Sequence, residues 1–467
     1  MLKGTEMQLT TTGRSPFETI LLMFFCVIGL LTVRETAGAQ NRTQLPLTLP
    51  QAIDLALNQN RDLKLARLAV VETGHKKEIA HAAYFPQISN ESAVVHLTEL
   101  AGVEIPAGAF GVHPETGAIP AANLFLDQGG LTSYTSGTGL AQPFTQMFKI
   151  HESNRAATAD INTAKIQVDQ AQNEVALKVR QLYYGILVAQ LRQQAAADEV
   201  EADQVKVQEN TDAVARGSAL DVVLIESRAS LLDARQAALK QKLQIQDLSV
   251  QLDDLLGLPL TTDLRLDAET SPASSLAIPS REECDRIARE HSPEIRAAEQ
   301  AVVKAKAGLS ASKDAYIPNI TGLARYSYQS GIPFLVHNFG SFGFSFTYDL
   351  FDGGRRNAEI KDSQTLLSEA ELSLVKAEEQ VAVQVEQAYN KVVQQQDLVG
   401  VSEELLNART EAARLTDRQF EQDAALASAR AAAHAKAASA KASSLEAHLG
   451  LELAEGELIE TIGQLPR

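Results

Sequence analysis

The side chains able to do chemistry are few in this chain and poorly placed for it. Its nine histidines are scattered, and no His-Glu-x-x-His pattern sets two of them on one helix face as a zinc hydrolase requires. The run "FDGGRR" at 351–356 pairs two glycines but lacks the Gly-Lys-Ser/Thr ending of a phosphate loop. Gly353 and Gly354 fit a turn from strand into helix instead. Asp253 with Asp254, and Glu282 with Glu283, could supply paired carboxylates, but they read as solvated helix faces. Cys284 lies in a helical segment, where a small buried thiol is the expected role. No catalytic, cofactor or metal constellation is predicted, and the chain is not read as an enzyme. Its function must therefore lie in architecture.

Residues 1–39 read as a secretory signal peptide: Lys3 and Arg14 precede "ILLMFFCVIGLLTV", and Ala37-Gly38-Ala39 offers a cleavage site. An apolar run of about 14 residues falls short of the roughly 20 that a spanning helix needs. Phe24 and Phe25 before Cys26 argue against lipid attachment there. The segment carries three positive and three negative side chains, so the mature chain keeps the net charge of -17 and has no basic surface for nucleic acid. With Cys26 removed, Cys284 stands alone and no internal disulfide is possible. Aromatics at 5%, no Trp, and long tracts rich in Ala, Gln, Leu and Glu point to extended helices packed on one another.

The sequence is written twice. Residues 50–88 superimpose on 282–320 at a shift of 232, placing Tyr84 on Tyr316 and Pro86 on Pro318. A shift of 206 then carries Val175, Gln181 and Tyr183 onto Val381, Gln387 and Tyr389, and Gly257 onto Gly463. Solenoid repeats run about 20 to 50 residues, so this longer unit is a duplicated domain. The predicted organisation is 1–39 signal, 40–257 first repeat, 258–283 linker or equatorial segment, and 284–467 second repeat. In each half a helical segment (50–84 or 284–316), broken near its start, ends at Pro86 or Pro318. A strand pair and a long helical hairpin follow.

In "SFGFSFTYDL", Phe342, Phe344, Phe346 and Tyr348 alternate with Ser341, Gly343, Ser345 and Thr347; in the partner strand Tyr326 and Tyr328 alternate with Arg325 and Ser327. A period of two puts every aromatic on one face. A soluble sandwich also uses such strands, but the rest of each half is helix and offers no second sheet. The aromatic face is therefore predicted to meet lipid as part of a barrel. Strands in the first half, within "ISNESAVVHLTEL" and "LTSYTSGTGLAQPF", alternate poorly and rest on the repeat. Four strands cannot close a barrel, and open edges do not survive in lipid, so several chains must share one.

The long tract from 150 breaks at "ARGSALD" (Arg216, Gly217, Ser218, Ala219, Leu220, Asp221) and resumes to 256; the second breaks at 421–427, with Arg418, Asp423, Ala424 and Leu426 at or beside the turn. At 1.5 Å per residue an outgoing arm of about 65 residues reaches roughly 100 Å and a return arm of about 37 only about 55 Å. The pre-strand helix supplies the difference: 50–84 stacks end to end with 220–256, and 284–316 with 424–462. Asp221 would recur as a ring of carboxylates at the far end, with Arg216 and Arg418 as partners, or would simply cap the returning helix.

Taken together, the duplicated halves, "LTLPQAIDLALNQNRDLKLAR", the Tyr-x-Pro corners, "LFDGGRR", "GSALDV" and "LLGLPL" resemble the TolC family of bacterial outer-membrane efflux proteins. The resemblance implies a mainly α fold with a small β part: a homotrimer, a 12-strand barrel in outer-membrane lipid, and a 12-helix tunnel through the periplasm. It also implies docking, through the hairpin turns, on a periplasmic adaptor and an inner-membrane transporter. The chain departs from the pattern where Asp423 replaces Gly217 and Ala427 replaces Asp221 in the second turn. A belt around the tunnel must come mainly from 40–49 and 258–283. The rival reading is a periplasmic coiled-coil adaptor or scaffold with no pore.

Overall fold

The computed structural model describes residues 44–100, 102–126, 129–260, 262–267, 278–332 and 336–464. The expected signal peptide and Cys26 lie outside these residues. In chain order the first half contains β1 (Gln44–Leu47), α1 (Leu49–Gln59), α2 (Arg61–Ala82) and β2 (Gln87–His96). Four short strands follow, β3 (Val103–Ile105), β4 (Val112–His113), β5 (Gly117–Ala118) and β6 (Leu124–Leu126), then β7 (Thr132–Pro143), α3 (Met147–Ala215) and α4 (Asp221–Leu256). β8 (Asp263–Leu266) links to the second half: α5 (Arg281–His291), α6 (Pro293–Lys313), β9 (Asn319–Ser330), β10 (Asn338–Thr347), α7 (Arg355–Glu421) and α8 (Ala427–Thr461).

Each predicted break in the pre-strand helix is a cap. Asn60 ends α1 and starts α2: its Oδ1 accepts from the Leu63 amide at 3.0 Å, and its Nδ2 donates to the Leu255 carbonyl at 3.2 Å. The second bond ties the break to the end of α4, so α2 and α4 form one stave. In the repeat, buried Ser292 takes the cap position and Pro293 the first helical position, where a missing N–H costs nothing. Gly257 and Gly463 end α4 and α8 at φ 69° and 80°. A Cβ on Gly463 would sit 2.4 Å from the His291 carbonyl oxygen, so only glycine fits this junction.

The helices form a wall of four staves. α3 packs against α2 and α4 on one side and against α6 and α8 on the other, and α7 packs outside α6 and α8. Each half has its own core at the same height. Leu63, Val175, Val179, Leu252 and Leu256 are buried in the first half, and Ile295, Val381, Val385, Leu458 and Ile462 occupy the equivalent positions in the second. Cys284 lies fully buried where the first half has Ala52, as the expected small thiol. Buried Ala435, Ala440, Ala442 and Ala447 let α8 approach its neighbours closely.

The described parts of 40–49 and 258–283 meet as a parallel ribbon, β1 on β8. Tyr183 Oη donates to the Leu47 carbonyl at 3.0 Å and the Asp267 carbonyl at 2.9 Å, riveting the ribbon to α3. The repeat of Tyr183, Tyr389, instead takes the Arg281 guanidinium 5.2 Å over its ring, so the ribbon belongs to the first half.

The four long strands form one antiparallel sheet in the order β10-β9-β7-β2. The two strand pairs are thus joined through β7 and β9, and among the described residues nothing pairs with the outer edge of β10 or of β2. Between β2 and β7 two short antiparallel ribbons form, β3 on β6 and β4 on β5. No helix among the described residues is long and apolar enough to cross a membrane.

Candidate functional site

The candidate site is a surface with two ends: the sheet at one end of the staves and the hairpin turns at the other. The register of the sheet places Phe342, Phe344 and Phe346 of β10 beside Ala324, Gly322 and Ile320, with Tyr326 and Tyr328 continuing the same face. Phe342 is 94% exposed and Phe344 78%, so the described residues leave this aromatic face uncovered. Phe144, just past β7, joins it: its ring lies 6.1 Å from that of Phe344, and a Cβ on Gly322 would fall 2.7 Å from the Phe144 ring. The alternation did not reveal Phe144, because the residue stands beyond its strand; the glycine opposite is the trace it leaves in the sequence.

On the first-half strands the same face carries Ile88, Leu140, Val94 and Tyr134 around a polar centre. There the Asn90 amide donates to Ser136 Oγ at 3.3 Å and Thr138 Oγ1 at 2.9 Å, and Ser92 Oγ lies 2.9 Å from Ser136 Oγ. These groups satisfy one another. Small polar residues on both faces are why the alternation there was faint.

Tyr348, expected with the lipid-facing strand residues, lies one residue beyond β10 and belongs to the corner. Arg356 is buried between two rings, its guanidinium carbon 4.9 Å from the centroid of Tyr348 and 5.2 Å from that of Tyr316. Its Nε donates to Asp352 Oδ2 at 2.6 Å, and an Nη donates to the Asp349 carbonyl. Asp352 also accepts from the amides of Gly354 at 3.0 Å and Arg356 at 3.1 Å, capping α7; the Arg356 guanidinium first, and these amides after it, hold its carboxyl down at about 2. Gly353 and Gly354 take φ of 67° and 89°, making the expected strand-to-helix turn. Pro86 and Pro318 stand immediately before β2 and β9, where no ladder amide is needed. One corner thus knits the chain entering the sheet at Tyr316 to the chain leaving it at Tyr348.

At the opposite end the two hairpin turns are copies of each other despite their different residues. The Gly217 amide donates to Val214 and the Ser218 amide to Ala213, both at 2.9 Å; Asp423 and Ala424 repeat this to Phe420 and Gln419 at 3.0 and 2.8 Å. Gly217 has φ 71° and Asp423 has φ 55°, so the aspartate adopts the left-handed turn of the glycine it replaces. Ala219 sits inside the first turn. Leu220 and Leu426 stand at matching helix starts, 73% and 67% exposed.

This corrects the capping role considered for Asp221. The cap position belongs to Leu220, and Asp221 is the first helical residue, with no side-chain capping bond. Its charge still favours the helix N-terminus. Neither Arg216 nor Arg418 pairs with it within the chain. A capping carboxylate that the sequence did not reveal is Glu209 of α3, whose Oε1 accepts from the Ser428 amide at 3.0 Å and so ties the first hairpin to the start of α8. Nearby, Asp417 accepts from Arg430 Nε at 2.7 Å and lies 2.9 Å from His434 Nε2, locking α7 to α8.

One acidic pair also departs from expectation. Asp254 is solvated and lies 3.5 Å from Arg61, but Asp253 is buried with Oδ1 unpartnered, and burial pushes its carboxyl up to about 6. No group of three or more potential metal ligands occurs among the described residues.

The family model described as outer membrane efflux protein matches residues 52–258 and 286–464, once for each half. No curated protein sequence matches the chain. Among solved structures, the CmeC outer membrane channel of Campylobacter jejuni superimposes with a TM-score of 0.73 at 14% identity, over 89% of this chain and 85% of its own. The MtrE outer membrane channel of Neisseria gonorrhoeae, in its open state, gives 0.70 at 18% identity over 90% and 89%. The outer membrane protein VceC of Vibrio cholerae gives 0.68 at 14% over 90% and 97%. At such identities these likenesses establish the fold. They leave the scaffold reading without support. With two hairpin-bearing halves, each matched by the family, the chain belongs to the outer membrane efflux proteins, as a TolC-like channel-tunnel and not an enzyme.

Proposed function

We propose that three copies of this chain close into one duct, a 12-strand barrel in the outer membrane continued by a 12-helix tunnel in the periplasm. The observation that carries the reading is the single sheet of long strands with both edges unpaired among the described residues, since exposed ladder groups are intolerable in lipid and four strands close nothing alone. The helical wall has matching raw edges. Large exposed apolar residues gather on its two outer staves: Leu65, Leu68, Ile225 and Leu232 on one, Leu372, Val375, Leu398 and Val401 on the other. The inner helices α3 and α8 expose almost none. Neighbouring chains would cover these edges, pairing β10 of one copy with β2 of the next.

In this assembly the aromatic face looks outward to lipid. At 1.5 Å per residue the 69 residues of α3 carry the turns roughly 100 Å from the sheet. Arg216, Gly217, Ser218, Ala219, Leu220 and Asp221 then gather with Arg418, Asp423, Ala424 and Leu426 at the periplasmic aperture. There the exposed Leu220 and Leu426 offer apolar points for a periplasmic adaptor serving an inner-membrane transporter. The transporter supplies energy and selects cargo. Purified protein added to a planar bilayer is expected to give stable unitary conductance steps, and the protein to leave membranes only with detergent. Release by salt washing, with no conductance, would overturn the proposal.

A further inference from the structure

The four long strands carry only two formally charged side chains, Glu91 on β2 and Arg325 on β9. Both lie on the face opposite Phe342, Phe344 and Phe346, and they meet. The register sets Glu91 beside Gly137 and Arg325 beside Gly139, with β7 between them. A Cβ on Gly137 would fall 2.4 Å from Arg325 Nη2 and 2.8 Å from its Cζ, so the guanidinium lies flat across β7 where that strand has no side chain. Its Nη2 reaches to 3.7 Å from Glu91 Oε2. Around the pair this face offers small or neutral groups, among them Ser327, Ser341 and Gly139.

We propose that Arg325 and Glu91 form a charge girdle on the inner wall of the barrel that sets its ion preference, and that Gly137 holds Arg325 against the wall and so sets the free width there. The inference rests on the three-chain duct with its aromatic face outward. Threefold repetition places three cations and three anions in one section of the lumen, the whole formal charge the long strands contribute. A passing ion meets this ring inside a low-dielectric wall, where fixed charges act strongly. Paired, the two signs offset. Removing either leaves three like charges.

The test is the reversal potential and unitary conductance of the full-length trimer in planar bilayers under a potassium chloride gradient. Arg325→Gln is expected to move the reversal potential toward cation preference and Glu91→Gln toward anion preference. Each variant reports independently should the other misfold. Gly137→Ala, which displaces only the flexible end of Arg325, is expected to lower conductance, and adding Arg325→Gln to it to restore the width. A conducting parent whose reversal potential is unmoved by both neutral variants would overturn the girdle while leaving the duct intact. A parent with no conductance would overturn the duct, and the girdle with it.

Discussion

At the scale of single residues, burial and register decide which side chains matter. Asp253 is an acid that folding moves into the first-half core, in a place where the second half has Ile459. Burial raises its pKa from 3.8 to about 6, so the folded chain holds this proton more tightly than the unfolded chain does. Stability therefore falls as pH rises through that window, and the loss persists above it. Asp253→Asn is expected to stabilise the protein at neutral pH by about 1–3 kcal/mol, with the gain shrinking to nothing below about pH 3, as read by thermal unfolding. An unchanged midpoint at neutral pH would show that the carboxylate is accommodated. On the sheet, Phe344→Arg should cost roughly 2–4 kcal/mol in a bilayer folding assay, while Ser345→Arg on the other face should be tolerated. Equal damage from both would reverse the face assignment. At the first hairpin turn, Asp221→Asn keeps the helix start, because the side chain makes no capping bond, yet removes the proposed ring of charge. Weaker block by multivalent cations is expected, and parental block would reduce Asp221 to a dipole partner. Strict alternation made the Phe residues legible from sequence. Asp253 was not, since only the fold shows which of two adjacent acids turns inward.

Among the elements, the long hairpins were readable because their breaks are chemical: a glycine turn at 217, Gly257 before Pro259, and Pro293 opening α6. The second turn was harder. Asp423 stands where glycine would signal a left-handed residue, and the identical hydrogen bonds appear only in the structure. The penalty for a side chain in that conformation makes a prediction. Gly217→Ala should lower stability by about 1–2 kcal/mol, and Asp423→Gly should raise it by up to about 1 kcal/mol. Thermal unfolding of both variants checks the pair, and a destabilising Asp423→Gly would mean that the aspartate carboxylate is itself needed at the tip. Strands β2 and β7 were faint because Asn90, Ser92, Ser136 and Thr138 satisfy one another on the face where apolar residues were sought. The corner built on Arg356 was half visible. Its glycines announced a turn, but the two tyrosines enclosing the guanidinium lie 32 residues apart, at 316 and 348.

For the whole molecule, duplication was the clearest message of the sequence, and it explains why one chain makes the Tyr-x-Pro corner twice: each half brings two strands and one hairpin to a common wall. The open sheet was implied by the strand count; what the sequence could not display is that the helical wall is raw at the matching sides, with β2 and β10 unpaired among the described residues and the outer staves apolar above them. Closure by three chains is the central claim, because barrel, tunnel, aperture and charge girdle all presuppose it. Native mass spectrometry of the detergent-extracted mature protein tests it most directly. One dominant species containing three chains is expected. A monomer or dimer that nonetheless forms conducting pores would contradict it.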